Sequence, residues 1–293
     1  MKNFHWAILS LTLLTHWSCG VVNTVAVNAT TEIVNYGLGS VFEESDLDLA
    51  EKAIPANLVL LEALYRAKEK DDEHLALLLT QGYTGYTLGF VEDVDAERAK
   101  VLYRRARDYG LRALQNKSKN FAHAVDDDAA TFKQRLENFS NEDVPLMFWT
   151  ANAWGNLINV SIADPTVLVD LPKVNAMMEF VLTHDEGYFY GSAHLYFATI
   201  LATVPKNLGG KPDSAKFHFD KCFAFSQNKF LLPYVYMAKS YCVQVQNKEL
   251  FQQLLTTVEE TSLEVLPEQR LVNAIAKRKA KKLAERIDEL FFE

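Results

Sequence analysis

The sequence predicts an all-α protein, a tetratricopeptide-like array of about four helical hairpins with covering helices at its N- and C-terminal ends. Three observations carry this expectation. Glycine and proline are sparse, 12 and 8 among 293 residues, and long stretches alternate apolar and charged positions at helical spacing. Apolar residues make up 49% of the chain, enough for a large core. No interior run of uncharged apolar residues reaches the roughly 18 that suggest a membrane span. Third, one pattern occurs twice. Gly82 is followed seventeen positions later by Ala99, then Tyr103 and Ala106; Ala198 is followed at the same distance by Ala215, then Phe219 and Cys222. Each small–aromatic–small triplet lies on one helical face, the aromatic filling the gap that its small neighbours leave against another helix. Hairpins that recur in this way bury their apolar faces by stacking, and such arrays bind along a concave side rather than perform chemistry. The net charge of −8 disfavours nucleic acid as a partner, because that needs a cationic surface for counterion release.

The N-terminus reads as a separate module. Lys2 supplies a positive start, Phe4 to Leu14 an apolar stretch too short to span a membrane, and Ser18-Cys19-Gly20 a small-residue processing site. Residues 1–18 are therefore expected to be an export signal, and residues 19–293 a single all-helical domain. Cys19 stands where a bacterial lipoprotein carries its acylated cysteine, although His16 occupies the position usually held by leucine. Ordinary cleavage with an incidental cysteine is the alternative. Acylation would anchor the protein to a membrane, each buried methylene adding about 0.8 kcal/mol. Cys222 and Cys242 remain, and their helical slots favour two buried thiols over the disulfide that export would permit.

In chain order, residues 21–54 suggest one covering helix interrupted near Gly37 or Gly39, with Asp46 or Asp48 as a cap for the next helix. Pro55 is expected near the start of a helix carrying Leu58, Leu61 and Leu64, ended by Asp71-Asp72. The first hairpin spans Glu73 to Phe90 and Ala96 to Leu114, with Asp95 capping its second helix. The acidic link before that cap lacks the central glycine and ligand rhythm of a calcium loop. Residues 115–145 depart from the repeat, and Asp126-Asp127-Asp128 reads as a solvated helix start before the stripe Phe132, Leu136 and Phe139. A second hairpin runs from Leu146 to Asn159 and Leu171 to Thr183, and a third from Tyr188 to Val204 and Pro212 to Gln227. The glycines and lysines between the latter helices lack the strand and spacing of a phosphate loop and read as a turn. The fourth hairpin sets Ala238 against Leu250, Leu254 and Thr257, at the compact spacing of the roughly 34-residue tetratricopeptide repeat. A last helix from Leu271 to Phe292 carries Ile275, Leu283, Ile287 and Leu290 to cover the end of the array, with Lys277-Arg278-Lys279 and Lys281-Lys282 on its solvent side.

No constellation of residues announces chemistry. His74, His123, His184, His194 and His218 form no His-Glu-x-x-His pair, and no nucleophile elbow or zinc-type cysteine spacing occurs. An enzyme is disfavoured, and no cofactor or metal is expected. The aromatic residues say more. Tyr83, Tyr86 and Phe90 share a helical face, Trp149 and Trp154 open the second hairpin, and Tyr188, Tyr190 and Tyr196 crowd the third with His194 beside them. If first helices line the concave side, these residues form an apolar groove with polar tips. The competing reading is that they fill the core between hairpins.

Several stretches resemble one family. Gln81-Gly82-Tyr83, Tyr86 and Phe90-Val91-Glu92 lead the likeness, joined by Arg98-Ala99, Tyr103 and the run Arg105-Ala106-Arg107-Asp108-Tyr109-Gly110-Leu111. With Tyr190-Gly191 and Ala193-His194-Leu195, they are similar to the T component of tetratricopeptide-repeat-associated tripartite ATP-independent periplasmic (TRAP) transporters. Trp154-Gly155, Asp170-Leu171-Pro172-Lys173-Val174, Leu208-Gly209-Gly210 and the closing run from Ala276 to Phe291 extend the likeness over nearly all of the chain after its leader. The resemblance implies an all-helical periplasmic lipoprotein that forms a homotrimer, each protomer having a cleft that leads to a pore and binding a small hydrophobic ligand. It further implies a partner, the periplasmic solute-binding protein of a TRAP transporter, which passes solute to an ion-driven permease. It carries over no catalytic residue. A reading from another class is an envelope scaffold that holds peptides or unfolded outer-membrane proteins in the same groove.

Overall fold

The computed structural model describes residues 37, 39–68, 70–203 and 210–291. The export signal, Cys19 and most of the turn before Pro212 lie outside the described residues. Among those described, every regular element is helical and no strand occurs, so the all-α expectation holds.

Helix α1 runs from Leu47 to Ala67. Asp46 caps it, its carboxylate accepting from the backbone N–H of Asp48 and Leu49 at 2.9 and 3.1 Å. Pro55 lies inside this helix rather than near its start. The buried series Ala50, Ile54, Leu58, Leu61 and Tyr65 continues unbroken across it. Burying that stripe outweighs the helix-interior cost of proline, roughly 3 kcal/mol.

Helix α2, Glu73–Tyr86, starts at the Asp72 cap and widens into a π-helical turn, Thr87–Val91. Thr80, Thr84 and Thr87 each donate to the carbonyl four residues back, at 2.6 to 2.8 Å, which satisfies their hydroxyls in a buried face. Gly82 receives Leu58 of α1, to which a Cβ would approach within 2.6 Å, so this small residue fits the preceding helix. Helix α3, Ala96–Lys117, begins at Asp95 as the sequence predicts. Its triplet Ala99, Tyr103 and Ala106 is fully buried.

The excursion after α3 is a chain of short 3₁₀ turns around α4, Ala129–Arg135, which is capped by Asp128. Phe121 meets Phe132 and Phe139 edge-on at 5.4 and 5.3 Å, giving this segment its own aromatic filling. Then come α5, Val144–Val160, and α6, Leu171–His184, with α7, Tyr188–Thr203, and α8, Pro212–Phe225, after them. Val174, Met178 and Val181 are buried, as are Ala215, Phe219 and Cys222.

Helix α9, Leu232–Tyr236, extends as a second π-helical turn, Met237–Cys242, and α10 spans Lys248–Glu260. Of the expected α10 triplet, Leu254 is buried, Leu250 half-buried and Thr257 exposed; Phe251, Leu255 and Val258 make up the rest of the buried face. Asn247 caps this helix, its side chain accepting from the Leu250 N–H at 2.9 Å. The last helix is two pieces, α11, Arg270–Ala284, and α12, Ile287–Leu290, separated at Glu285-Arg286.

Helix α11 does more than cover the last pair. Gly89 of the first π turn receives Ile275, Arg278 donates to the Gly89 carbonyl, and Lys279 pairs with Glu92 and Asp93. The lysine–arginine run is thus partly turned inward, because the carboxylates at the end of α2 draw it there. The core falls into two clusters, one built on α1–α6 and one on α7–α11; Leu88 and Phe189 pack against both. Cys222 and Cys242 are free, buried thiols whose pKa burial pushes up to about 12.

Candidate functional site

The three aromatics of α2 do fall on one face, and each has an arginine across its ring. Arg105 lies 5.3 Å from the Tyr83 centroid, Arg98 5.8 Å from Tyr86, and Arg278 4.8 Å from Phe90. All three rings are at least nine-tenths buried. Tyr83 stacks on Tyr109 of α3 at 6.2 Å, and both hydroxyls donate to the same oxygen of Glu62, at 2.8 and 2.9 Å. Arg105 donates to the Tyr83 hydroxyl at 3.1 Å and stands 3.5 Å from Glu62. Burial foremost, then the Glu62 carboxylate for Tyr109, holds both phenols above their ordinary range, so at neutral pH they are hydrogen-bond donors.

Beside this cluster a cleft of about 290 Å³ opens over α3, lined by Val101, Arg104, Arg105, Asp108, Tyr109 and Arg112. Asp108 is occupied by Arg107, which donates to it at 2.9 and 2.7 Å. Arg104 has no ion pair or hydrogen bond among the described residues. Val101 is 52% exposed and offers an apolar lip. Within a chain of net charge −8, this is a local concentration of cations around a flat ring. It suits a ligand with a flat or aliphatic body and a polar or anionic head, held by guanidinium donors.

A second cleft, about 240 Å³, lies between the end of α2, α9 and α11 and includes Glu92, Asp93, Tyr236, Lys239 and Lys282. Lys279 bridges Glu92 and Asp93 there at 2.8 and 2.7 Å, and Tyr103 donates to Glu92 at 2.5 Å. Burial opposes the charge on Lys279, yet the two carboxylates outweigh it and hold its pKa above the usual lysine range. This arrangement clasps α11 to the first helix pair.

The remaining aromatics gather elsewhere. Trp149 packs on Phe148 and Phe189 at 5.2 and 4.9 Å. Tyr188 meets Phe148 at 5.4 Å, and Tyr190 stacks on Phe230 at 5.1 Å while donating to Glu268 at 3.2 Å. Burial pushes Tyr188 and Tyr190 up to about 12. Trp154 is only 1% exposed, between Arg107 and Phe132. Tyr196 donates to Asn175 at 2.7 Å, and His194 is buried against Glu186 and His218. No ring contact joins this group to Tyr83, Tyr86 and Phe90 among the described residues. Glu62, Arg104 and Arg112 were not legible as site residues; the recurring arginines of α3 were the available signal.

The geometry defines an all-helical array with a cationic surface cleft over α3. A family model described as TRAP transporter T-component matches residues 43–291, and the chain belongs to that family. Its members are accessory components of TRAP transporters, which points to a non-catalytic role. The chain is also similar to an uncharacterized protein of Treponema pallidum (strain Nichols), at 21% identity over 268 residues, covering 86% of this chain and 82% of that one.

Proposed function

We propose that this chain is the exported, lipid-anchored member of a TRAP system that holds the periplasmic solute-binding protein and takes a small organic ligand in the cleft over α3. Family membership across residues 43–291 supports the association with a transporter. The ligand assignment rests on one observation: Arg104 stands uncommitted in a cleft of about 290 Å³ whose floor is Tyr109 and whose lip is Val101. Tyr83 and Glu62 act behind it by fixing Tyr109 and Arg105. Acylated Cys19 is the anchor, and the protein works as a homotrimer in the periplasm.

Pulling the acylated protein from an envelope extract is expected to recover a solute-binding protein of the transporter. Recovery of unfolded outer-membrane proteins in its place overturns the reading. Native mass spectrometry reports the stoichiometry and any co-purified small molecule. Arg104→Ala is expected to weaken retention of that molecule at least ~10-fold, the loss of one charge-assisted contact; unchanged retention removes the cleft from the proposal.

A further inference from the structure

The turn that opens α7 departs from the rest of the fold. Phe189, Tyr190 and Gly191 have φ of 44°, 60° and 71°, three consecutive residues in the left-handed region, two of them with side chains. Each such non-glycine residue costs on the order of 1–3 kcal/mol, so its surroundings must hold it. Three contacts do. The Cys222 thiol donates to the Gly191 carbonyl at 3.4 Å. The Phe225 ring packs so tightly that a Cβ on Gly191 would stand 2.8 Å from it. Glu186, just before the turn, is tied at 2.9 Å to Lys221 of α8 and at 3.0 Å to Nε2 of the buried His194.

His194 in turn meets His218 of α8, Nδ1 to Nδ1 at 2.7 Å, and its ring lies parallel to Phe225 at 5.9 Å. The place is consequential. Phe189 packs against both core clusters, touching Trp149 at 4.9 Å on one side and Phe230 at 5.8 Å on the other.

Counting protons shows what this chain of groups tolerates. When neutral His194 gives its Nε2–H to Glu186, only a lone pair remains at its Nδ1, which accepts the Nδ1–H of His218. One added proton goes to Nε2 of His218 and leaves every bond in place. A second puts N–H on both facing Nδ1 atoms and sets two cations against each other. That contact must break, and the half-buried His218 is the partner free to swing toward solvent.

We propose that Glu186, His194 and His218 form a proton-operated latch on the left-handed turn between the two cores, closed with at most one proton on the pair and open with two. The charged groups facing the pair are Glu186, which favours charge on His194, and Lys221, which opposes it on both rings. From α6, His184 stacks on Phe180 and Asp185 accepts from the Gly187 N–H; α5 and α9 present Phe148, Trp149 and the segment after Phe230. Burial foremost, then His194 itself for His218 and Lys221 for both, holds the two imidazoles below the ordinary 6.5. The unfolded pair therefore takes up protons first. The latch contributes fully above pH 6.5 and loses that contribution as pH falls below it. The latch operates whichever ligand or partner the chain takes.

Amide hydrogen exchange of the full chain, corrected for intrinsic rates and followed from about pH 7.5 to about pH 4.5, tests it. Protection at residues 186–191 is expected to fall at least ~10-fold while α1–α3 stay protected. His218→Asn keeps an N–H donor where Nδ1 stood but cannot ionise, and its turn is expected to stay protected throughout. Protection independent of pH, loss over the whole molecule at once, or an acid response in H218N equal to that of the wild type overturns the latch. Proton NMR of the imidazoles covers the case of an H218N that fails to fold: two well-separated protonation steps support the latch, and two independent ones at ordinary pKa overturn it.

Discussion

Glu62 shows how a single side chain sets the character of its surroundings. One of its oxygens accepts from both Tyr83 and Tyr109, and Arg105 closes the arrangement from outside. Tyr83→Phe keeps the ring under Arg105 but removes a donor, so stability is expected to drop by about 1 kcal/mol while ligand retention weakens through a looser Arg105. Urea titration and ligand retention, run in parallel, separate the two effects. Trp154 behaves differently. The sequence places it beside Tyr83 as a groove candidate, yet it is 1% exposed with Phe132 and Arg107 on its faces. Trp154→Ala is accordingly expected to cost about 3–5 kcal/mol. Asn273 is fully buried, accepting from the Leu231 N–H at 2.9 Å and donating to the Lys229 carbonyl at 3.0 Å. Asn273→Leu is similar in size and leaves both groups unpaired; a loss of roughly 2–4 kcal/mol is expected in urea titration.

Among the described glycines, Gly110 has the tightest surroundings, where α3 meets α5. A Cβ on Gly110 would lie 2.0 Å from Thr150 Oγ1. Gly110→Ala is expected to lower the melting temperature despite its better helix propensity, because Thr150 is buried and holds the Leu146 carbonyl at 2.6 Å. Adding Thr150→Ala to Gly110→Ala should restore part of the loss; a double variant no better than the single refutes the steric account. Caps and apolar periodicity were what made elements readable: Asp95, Asp128 and the Ala99–Tyr103–Ala106 face sit where the sequence puts them. Pro55 misled because a stripe on either side of it outvotes one missing N–H. Leu250 and Thr257 misled because neighbouring apolar residues on α10 offer overlapping faces, and the helices packed against it, not local spacing, select the one that is buried. None of the nine groove candidates taken from the sequence lines the cleft over α3. Its lining from Val101 to Arg112 is one face of α3 at helical spacing, so the pattern was present in the sequence; Glu62, which holds Tyr109 and Arg105 from α1, enters through tertiary packing that periodicity does not encode.

For the whole molecule, α11 is the beam shared by the two cores. Leu271 and Ile275 belong to the first cluster, and Ala276, Ala280 and Leu283 to the second. Lys279 fixes it in place, its side chain 11% exposed between Glu92 at 12% and the half-exposed Asp93. Removing the lysine strands Glu92 in a site from which water is largely excluded, a loss of about 3–5 kcal/mol for a well-buried pair and toward the lower end here, since Asp93 still reaches solvent. The damage should not stay local. Residues of α11 belong to both clusters, and Leu88 and Phe189 pack against both, so unfolding either one exposes surface on the other. Calorimetry of the wild type is therefore expected to show one transition whose van't Hoff and calorimetric enthalpies agree. Lys279→Met, which keeps the aliphatic stem and removes the charge, is expected to separate it into two, with the α7–α10 cluster and the α1–α6 cluster melting apart. A single transition moved down intact would mean that the clasp adds stability without coupling the halves, and that Leu88 and Phe189 carry the coupling alone.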